Sequence, residues 1–172
     1  TEKIASASKL LLPGVGAFDA AMTRIAESGI LETLNKKVLE DKTPVLGICL
    51  GMQLLTRSSE EGRLPGLGWV NAKTVRFNFP QDPSLKVPHM GWNDLVIDHP
   101  HPVLDGIATS DHAYFVHGFV CPDGPATLAR ADYGGPVPAM VRSANRWGCQ
   151  FHPERSAAAG ARILRNFLEL PA

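Results

Sequence analysis

The sequence has no excess of either charge, because seventeen basic and seventeen acidic residues cancel in a chain of 172 residues. We therefore expect no broad basic surface of the kind that holds nucleic acid or an anionic membrane. No apolar run approaches the length of a membrane span, and no signal-peptide pattern opens the chain. These absences favour a small molecule or a specific protein as partner, and they predict a cytoplasmic location.

Cysteine and metal-ligand patterns are also scarce. The three cysteines are odd in number and show no short pairing pattern, which argues against a disulfide framework and for a reducing compartment. His99 and His101 alternate with prolines but lack the third and fourth ligands that a zinc site needs, so we predict a surface loop there. We expect no metal and no cofactor.

Apolar patterns in the first half predict strands alternating with helices. A strand is predicted at 9–13, a helix at 17–28 that stops at Gly29, a second helical stripe at 30–39 and a strand after Pro44. Such alternation implies parallel pairing, so the predicted fold is α/β, an open, mostly parallel twisted sheet flanked by helices. No internal repeat or break in composition divides the chain, and residues 1–172 are predicted to form one domain.

The second half predicts shorter strands. β-like pieces near 69–77, 94–97, 113–120, 126–131 and 137–142 predict an antiparallel or mixed extension of the sheet. A strand at 147–151 and a helix at about 157–170 follow, the helix with a buried stripe of Ile163, Leu164, Phe167 and Leu168. Cys121 and Cys149 have no partner pattern and are predicted to be core or near-core thiols.

The segment from Pro44 to Gln53 carries the strongest chemical signal. A β-branched apolar run leads to Cys49, which has Gly47 and Gly51 two residues away on either side, and a helical pattern follows. This is the layout of a nucleophile elbow with sulfur in place of oxygen, in which glycines permit a sharp turn. A helix N-terminus should lower the pKa of the thiol. The alternative is a buried, inert cysteine at the end of a core strand.

A base and a carboxylate for such a nucleophile lie far downstream. His152 and Glu154 are two residues apart at the end of an apolar stretch, and residues so spaced share a face in extended chain. Glu154 can then accept from one imidazole nitrogen while the other faces a thiol. A single His-x-Glu is commonplace as a surface pair. Paired with the Cys49 elbow (residues 47–51), it becomes a catalytic candidate.

Several segments together resemble one known family. They are Leu12-Pro13-Gly14-Val15-Gly16-Ala17-Phe18, the Cys49 elbow, Val87-Pro88-His89-Met90-Gly91-Trp92-Asn93, Tyr114-Phe115-Val116-His117-Gly118 and Phe151-His152-Pro153-Glu154. The chain resembles class I (triad) glutamine amidotransferases and, within them, the glutaminase subunits of imidazole glycerol phosphate synthases. The family's members begin with an additional strand and helix, which this sequence is expected to lack.

The resemblance implies a role for each matching residue. Cys49, His152 and Glu154 would be the catalytic triad that hydrolyses L-glutamine, and the N–H groups of Leu50 and Val15 would form the oxyanion hole. The remaining implied contacts to glutamine are Gly16, Gly51, Gln53, His117 and Gly118. From the residues alone, the loop at 13–16 could be a plain tight turn, and Gln53 could simply pack. Gly118 stands where relatives commonly carry Ser or Thr, so a side-chain contact is lost there.

The resemblance also implies a partner, a (β/α)₈-barrel cyclase subunit that receives the ammonia in a heterodimer. His89, Met90, Trp92 and Asn93 are the implied interface, in a Pro- and Gly-rich loop. Interfaces are enriched in Trp and Met, although Trp92 could instead pack into this chain's own core. Two other functions stay open: the glutaminase of another pathway, such as guanylate or pyridoxal phosphate synthesis, and a non-catalytic amidotransferase-like subunit.

Overall fold

Strands and helices alternate in the first third of the structure, a computed structural model that describes residues 2–171. The strands are β1 (Leu10–Gly14), β2 (Val45–Cys49), β3 (Ser58–Ser59), β4 (Lys73–Arg76), β5 (His89–Asp94), β6 (Val96–Ile97), β7 (His112–His117), β8 (Phe119–Val120), β9 (Thr127–Asp132), β10 (Pro136–Ser143) and β11 (Arg146–Cys149). The α-helices are α1 (Glu2–Ala5), α2 (Phe18–Glu27), α3 (Leu31–Asn35), α4 (Leu50–Leu54) and α5 (Ala157–Glu169). A π-helical turn at Lys36–Glu40 continues α3, and 3₁₀ turns lie at Pro102–Leu104 and Pro153–Arg155.

Six strands form the main sheet in the order β1-β2-β11-β10-β9-β6. The pairs β1/β2 and β2/β11 are parallel, whereas β11/β10, β10/β9 and β9/β6 are antiparallel. The predicted α/β fold is confirmed, but the main sheet is mixed rather than mostly parallel. Its parallel pairing is confined to β1, β2 and β11, and the predicted antiparallel extension lies beyond them. Because β2 and β11 are parallel neighbours, their carboxyl ends meet at one edge of the sheet. Within residues 2–171, no helix is long and apolar enough to cross a membrane.

The two faces of the sheet are covered by different helices. Along β2, Val45 packs into one apolar cluster and Leu46 and Ile48 into another, as expected when neighbouring side chains point to opposite faces. The first cluster is built from α2, α3, the π turn and α4, and includes Phe18, Val38, Leu50, Leu54 and Trp69. The second lies under α5 and includes Phe115, Trp147, Phe151, Ile163 and Phe167. Cys121 and Cys149 are buried, as predicted.

Three local predictions need correction. The strand predicted at 147–151 ends earlier, at Cys149. Leu168 is exposed rather than buried, because α5 buries a narrower stripe that contains Ile163 and Phe167. The predicted docking loop at 89–93 is strand β5, since it pairs along its whole length with β7. Helix α2 ends at Glu27, and Gly29 has φ +68° just beyond it, which confirms the predicted stop.

The glycines of the Cys49 elbow allow close packing, rather than an unusual backbone angle. A Cβ atom on Gly51 would lie 1.7 Å from the carbonyl oxygen of Leu12 in β1, and one on Gly47 would lie 2.6 Å from the carbonyl oxygen of Gly51. Neither glycine has a positive φ. Because these two residues have no side chain, α4 can approach β1 and β2 closely. This approach positions Cys49, the residue that joins β2 to α4.

We predict that Gly51→Ala lowers the free energy of unfolding by about 3 kcal/mol or prevents folding, because its methyl group would overlap main-chain atoms that cannot move independently. Urea unfolding of the purified variant measures the effect. Gly124→Ala is the matched control, since a Cβ atom there meets nothing within 4 Å. A stable Gly51→Ala variant would contradict the close-packing explanation.

Candidate active site

Cys49 occupies a strained backbone position at the junction of β2 and α4. Its φ is 52° and its ψ is −110°, in a region that L-residues other than glycine rarely adopt. Strain of this kind costs about 1–3 kcal/mol and persists only where the surrounding structure enforces it. The elbow predicted from the sequence is present, and the strained residue is the cysteine itself.

The loop after β11 brings His152 and Glu154 to the same edge. The N–H of His152 donates to the carbonyl oxygen of Tyr114 in β7 (2.9 Å), and Ser156 Oγ donates to the carbonyl oxygen of His152 (2.7 Å). Nδ1 of His152 lies 2.7 Å from Oε1 of Glu154, so the predicted side-chain contact is made. The segment from His152 to Glu154 was predicted to be extended. This is wrong, because Glu154 lies in the 3₁₀ turn at Pro153–Arg155.

One cavity joins these groups. Its lining includes the three predicted triad residues and six of the predicted oxyanion and glutamine contacts: Cys49, His152, Glu154, Val15, Gly16, Leu50, Gln53, His117 and Gly118. Gly51 is not part of the lining, because it packs against β1. The loop with Val15 and Gly16 lies beside the elbow, since Gly14 is paired with Cys49 across the parallel β1/β2 ladder. Val15 is 79% exposed, and Gly16 has φ +96°.

The thiol of Cys49 is held in its neutral form, contrary to the prediction from the helix N-terminus. Burial raises its pKa to about 11, and the carboxylates of Glu154 and Glu61 also raise it. The N–H of Leu50 and the side-chain amide of Gln150 act in the opposite direction but do not compensate. Helix α4 has only five residues, so its N-terminus offers little against desolvation.

The hydrogen bonds of the sulfur explain its orientation. Within residues 2–171, Sγ of Cys49 donates to the carbonyl oxygen of Val116 (3.9 Å), accepts from Nε2 of Gln150 (3.8 Å) and has no hydrogen bond with His152. Cysteine and imidazole thus share a cavity without a hydrogen bond between them. Proton transfer from the Cys49 thiol to the His152 imidazole therefore requires these side chains to rearrange, and a bound substrate can induce such a change.

The sequence matches a known protein family over nearly its whole length. The family model described as Glutamine amidotransferase class-I matches residues 2–170. The chain belongs to the class I glutamine amidotransferases. Among curated proteins, the amidotransferase is 46% identical to imidazole glycerol phosphate synthase subunit HisH 2 of Methanococcus maripaludis, over 98% of this chain and 83% of that protein. It is 48% identical to subunit HisH of Cereibacter sphaeroides, over 97% of this chain and 80% of that protein.

Solved structures agree on the fold. A crystal structure described as a glutamine amidotransferase matches with a TM-score of 0.69 and 26% identity, over 94% of this chain and 78% of that one. A putative GMP synthase protein from Thermoplasma acidophilum matches with a TM-score of 0.67 and 22% identity, over 97% of this chain and 74% of that one. The second likeness is one of fold alone.

Gln53 and His117 form buried walls of the amidotransferase cavity. Nε2 of Gln53 donates to the carbonyl oxygen of Phe119 (3.1 Å) and to Oε1 of Gln150 (3.2 Å). Nδ1 of His117 lies 2.8 Å from the same Phe119 carbonyl oxygen and therefore donates to it. Because both protons of the Gln53 amide are committed, a ligand can reach only its remaining oxygen unless the network breaks.

His89 does not belong to the predicted interface. It is 2% exposed, stacks on Phe115 and Tyr133, and its Nδ1 lies 3.1 Å from Nε2 of His117. Neighbours in a strand alternate between faces, so His89 points inward while Met90 and Trp92 point outward. Met90 is 62% exposed and Trp92 56%, so Trp92 is not a core residue.

Sequence reasoning missed two charged residues of the cavity, Glu61 and Arg155. Oε2 of Glu61 accepts from the backbone N–H of Phe18 (3.0 Å), and the guanidinium of Arg155 lies 4.2 Å from the ring centroid of Tyr114. Arg155 could have been found from its position next to Glu154. Glu61 follows β3 in an irregular loop, and no pattern in the sequence places it near the elbow. Within residues 2–171, no group of three or more His, Cys, Asp or Glu residues could hold a metal ion.

The buried histidine pair makes the amidotransferase sensitive to acid. Desolvation lowers the pKa of His89 to about 4 and that of His117 to about 3. Unfolded histidines titrate near ~6.5, so the unfolded chain binds protons first as the pH falls. The neutral histidine pair therefore contributes its full stability above about pH 6.5. As the pH falls toward the folded-state pKa values, protonation of the unfolded chain lowers the free energy of unfolding.

We predict that the free energy of unfolding falls between pH 6.5 and 4.5 by up to about 1.4 kcal/mol per pH unit for each of the two histidines. Urea unfolding at a series of pH values measures this slope. His89→Gln should flatten it, whereas His99→Gln should leave it unchanged, because His99 is exposed. Equal slopes for the wild-type protein and His89→Gln would refute the assignment.

Proposed function

We propose that this chain is the glutaminase subunit of an imidazole glycerol phosphate synthase, which supplies ammonia for histidine biosynthesis. The observation that carries the chemistry is that Cys49, at a strained elbow, faces the same cavity as the hydrogen-bonded pair of His152 and Glu154. The two HisH relatives support the pathway, because each is matched over at least 80% of its own length. The substrate is L-glutamine.

The reaction uses Cys49 as nucleophile and His152 as base and acid. Sγ attacks the carboxamide carbon while His152 takes the thiol proton, and the imidazolium then gives that proton to the departing ammonia. A water molecule, activated by His152, hydrolyses the thioester and releases glutamate. Glu154 holds the imidazole through Nδ1, which leaves Nε2 for the sulfur and the leaving group.

The oxyanion of each tetrahedral intermediate is stabilised by backbone N–H groups. Leu50 N–H already lies near the sulfur and lowers the thiol pKa, so it faces the developing charge. Val15 N–H is the second donor, and Gly16 beside it gives this exposed loop the freedom to reorient. Removal of one such donor typically costs about 10²–10³ in kcat.

The ammonia passes to a (β/α)₈-barrel cyclase subunit that forms imidazole glycerol phosphate and an aminoimidazole carboxamide ribotide. Met90 and Trp92 supply an exposed apolar face on β5, close to the cavity, because β5 pairs with the cavity strand β7. Asn93 lies on the opposite side of β5, with His89, where its amide donates to the Asp132 carbonyl oxygen (2.8 Å). This chain and the cyclase subunit form a heterodimer in the cytoplasm.

We predict that Cys49→Ala and His152→Ala each abolish glutamine hydrolysis in the complex with the cyclase, and that the double variant is no worse, because triad members act as a unit. Glu154→Gln should be milder, since it changes only the orientation and stabilisation of the imidazole. Release of glutamate measures turnover, and Cys121→Ala is the control with normal activity. If Cys49→Ala kept its activity, the triad assignment would fail.

We predict that Trp92→Ala weakens binding to the cyclase about 30-fold, the effect of losing an aromatic anchor worth about 2 kcal/mol. Isothermal calorimetry measures binding, and thermal unfolding checks that the variant folds. Leu168→Ala is the matched control, because Leu168 is similarly exposed but lies on α5, away from β5. Unchanged binding by Trp92→Ala would move the interface elsewhere.

A further inference from the structure

Gln150 is a fully buried polar residue that the reaction above does not use. It follows β11, and its backbone N–H donates to the carbonyl oxygen of Ala139 (2.9 Å). Its side-chain Nε2 lies 3.8 Å from Sγ of Cys49, and its Oε1 accepts from Nε2 of Gln53 at 3.2 Å. A buried amide with both ends engaged has one orientation, and here that orientation directs a donor at the nucleophile.

The orientation of the Gln53 and Gln150 amides follows from one atom that can only accept a hydrogen bond. The carbonyl oxygen of Phe119 can only accept, so the end of the Gln53 amide that faces it is the NH₂ group. That same NH₂ group faces Gln150, which must therefore present its oxygen to Gln53 and its own NH₂ group to Cys49. A flipped Gln150 would set two NH₂ groups against each other and remove the hydrogen bond between the two buried amides.

The His117 side chain strengthens this anchor. Its Nδ1 donates to the same Phe119 carbonyl oxygen at 2.8 Å, and its Nε2 lies 3.1 Å from Nδ1 of His89. The Phe119 oxygen thus receives two donors at once, which fixes its direction. Each side-chain amide between the Phe119 carbonyl oxygen and the sulfur of Cys49 therefore has one orientation.

We propose that Gln150 is a positioning residue for the nucleophile, in that its amide, oriented by Gln53, holds the sulfur of Cys49 at the elbow and stabilises it once it is a thiolate. This rests on the proposed function, because it assigns Gln150 a part in the same cysteine chemistry. An N–H donor gains strength when its acceptor becomes an anion, so the contact favours the thiolate over the thiol.

The charges around the sulfur show why such a donor matters. The carboxylates of Glu154 and Glu61 face it and oppose its ionisation, as does its burial, while Leu50 N–H and the Gln150 amide favour it. His152 faces the same cavity, and the buried thiol of Cys149 lies nearby. In a cavity with two carboxylates and few donors, the loss of one donor should raise the pKa of Cys49 measurably.

The test measures the thiol directly, through the rate of alkylation of Cys49 by iodoacetamide from pH 7 to 12 in the purified chain, with the labelled peptide identified by mass. Gln150→Met keeps the length of the side chain and removes the donor. We expect it to raise the pKa of Cys49 by about one, which lowers alkylation about tenfold below that pKa. Asn166→Leu is the matched control, because it removes another buried amide, bonded to the carbonyl oxygens of Val103 and Asp105, without approaching the sulfur.

A higher pKa of Cys49 in Gln150→Met, with the wild-type value in Asn166→Leu, supports the proposal. An unchanged value in Gln150→Met overturns it, and so does an equal rise in Asn166→Leu, which would reflect lost stability alone. If Gln150→Met does not fold, the side-chain amide NMR resonances of Gln150 in the unmutated chain decide: they should shift with the titration of Cys49, and constant resonances would refute the contact. Because alkylation needs no turnover, absent glutaminase activity would contradict the proposed function separately from this result.

Discussion

The structure depends on the close contact between α4 and the parallel strands β1 and β2. This contact forces Cys49 into a backbone conformation that its side chain disfavours, and only glycine at positions 47 and 51 leaves room for it. The strain is about 1–3 kcal/mol, a cost that the buried clusters on both faces of the sheet offset. The sulfur, the N–H of Leu50 and the loop at Val15 are all positioned by the same packing.

Around this contact, three buried groups of the site are neutral, although the charged side chains of Glu61, Glu154 and Arg155 line the same cavity. The buried imidazoles of His89 and His117 are uncharged at neutral pH, because desolvation lowers their pKa values, and the Cys49 thiol is uncharged because desolvation raises its own. In the proposed reaction, the thiolate is therefore generated by proton transfer from the sulfur to His152.

The sequence allowed the prediction of features whose chemistry is local. The elbow at Cys49 and the His152–Glu154 pair are each contained within a few residues, so motif and spacing were sufficient. Properties that depend on distant pairing were not predictable. The inward orientation of His89 follows from the pairing of β5 with β7, and the raised pKa of Cys49 follows from burial by several elements. The contact of Gln150 with the sulfur likewise joins residues about a hundred positions apart in the chain.

In the proposed mechanism, Cys49 carries the acyl group of glutamine during hydrolysis. The most direct measurement is intact-protein mass spectrometry of the cyclase complex, quenched in acid during turnover of glutamine labelled with heavy nitrogen in its side-chain amide. We expect a γ-glutamyl adduct that lacks the labelled nitrogen, maps to Cys49 and is missing from Cys49→Ala. Release of labelled ammonia at an undiminished rate by Cys49→Ala, or an adduct on Cys121 or Cys149, would contradict it.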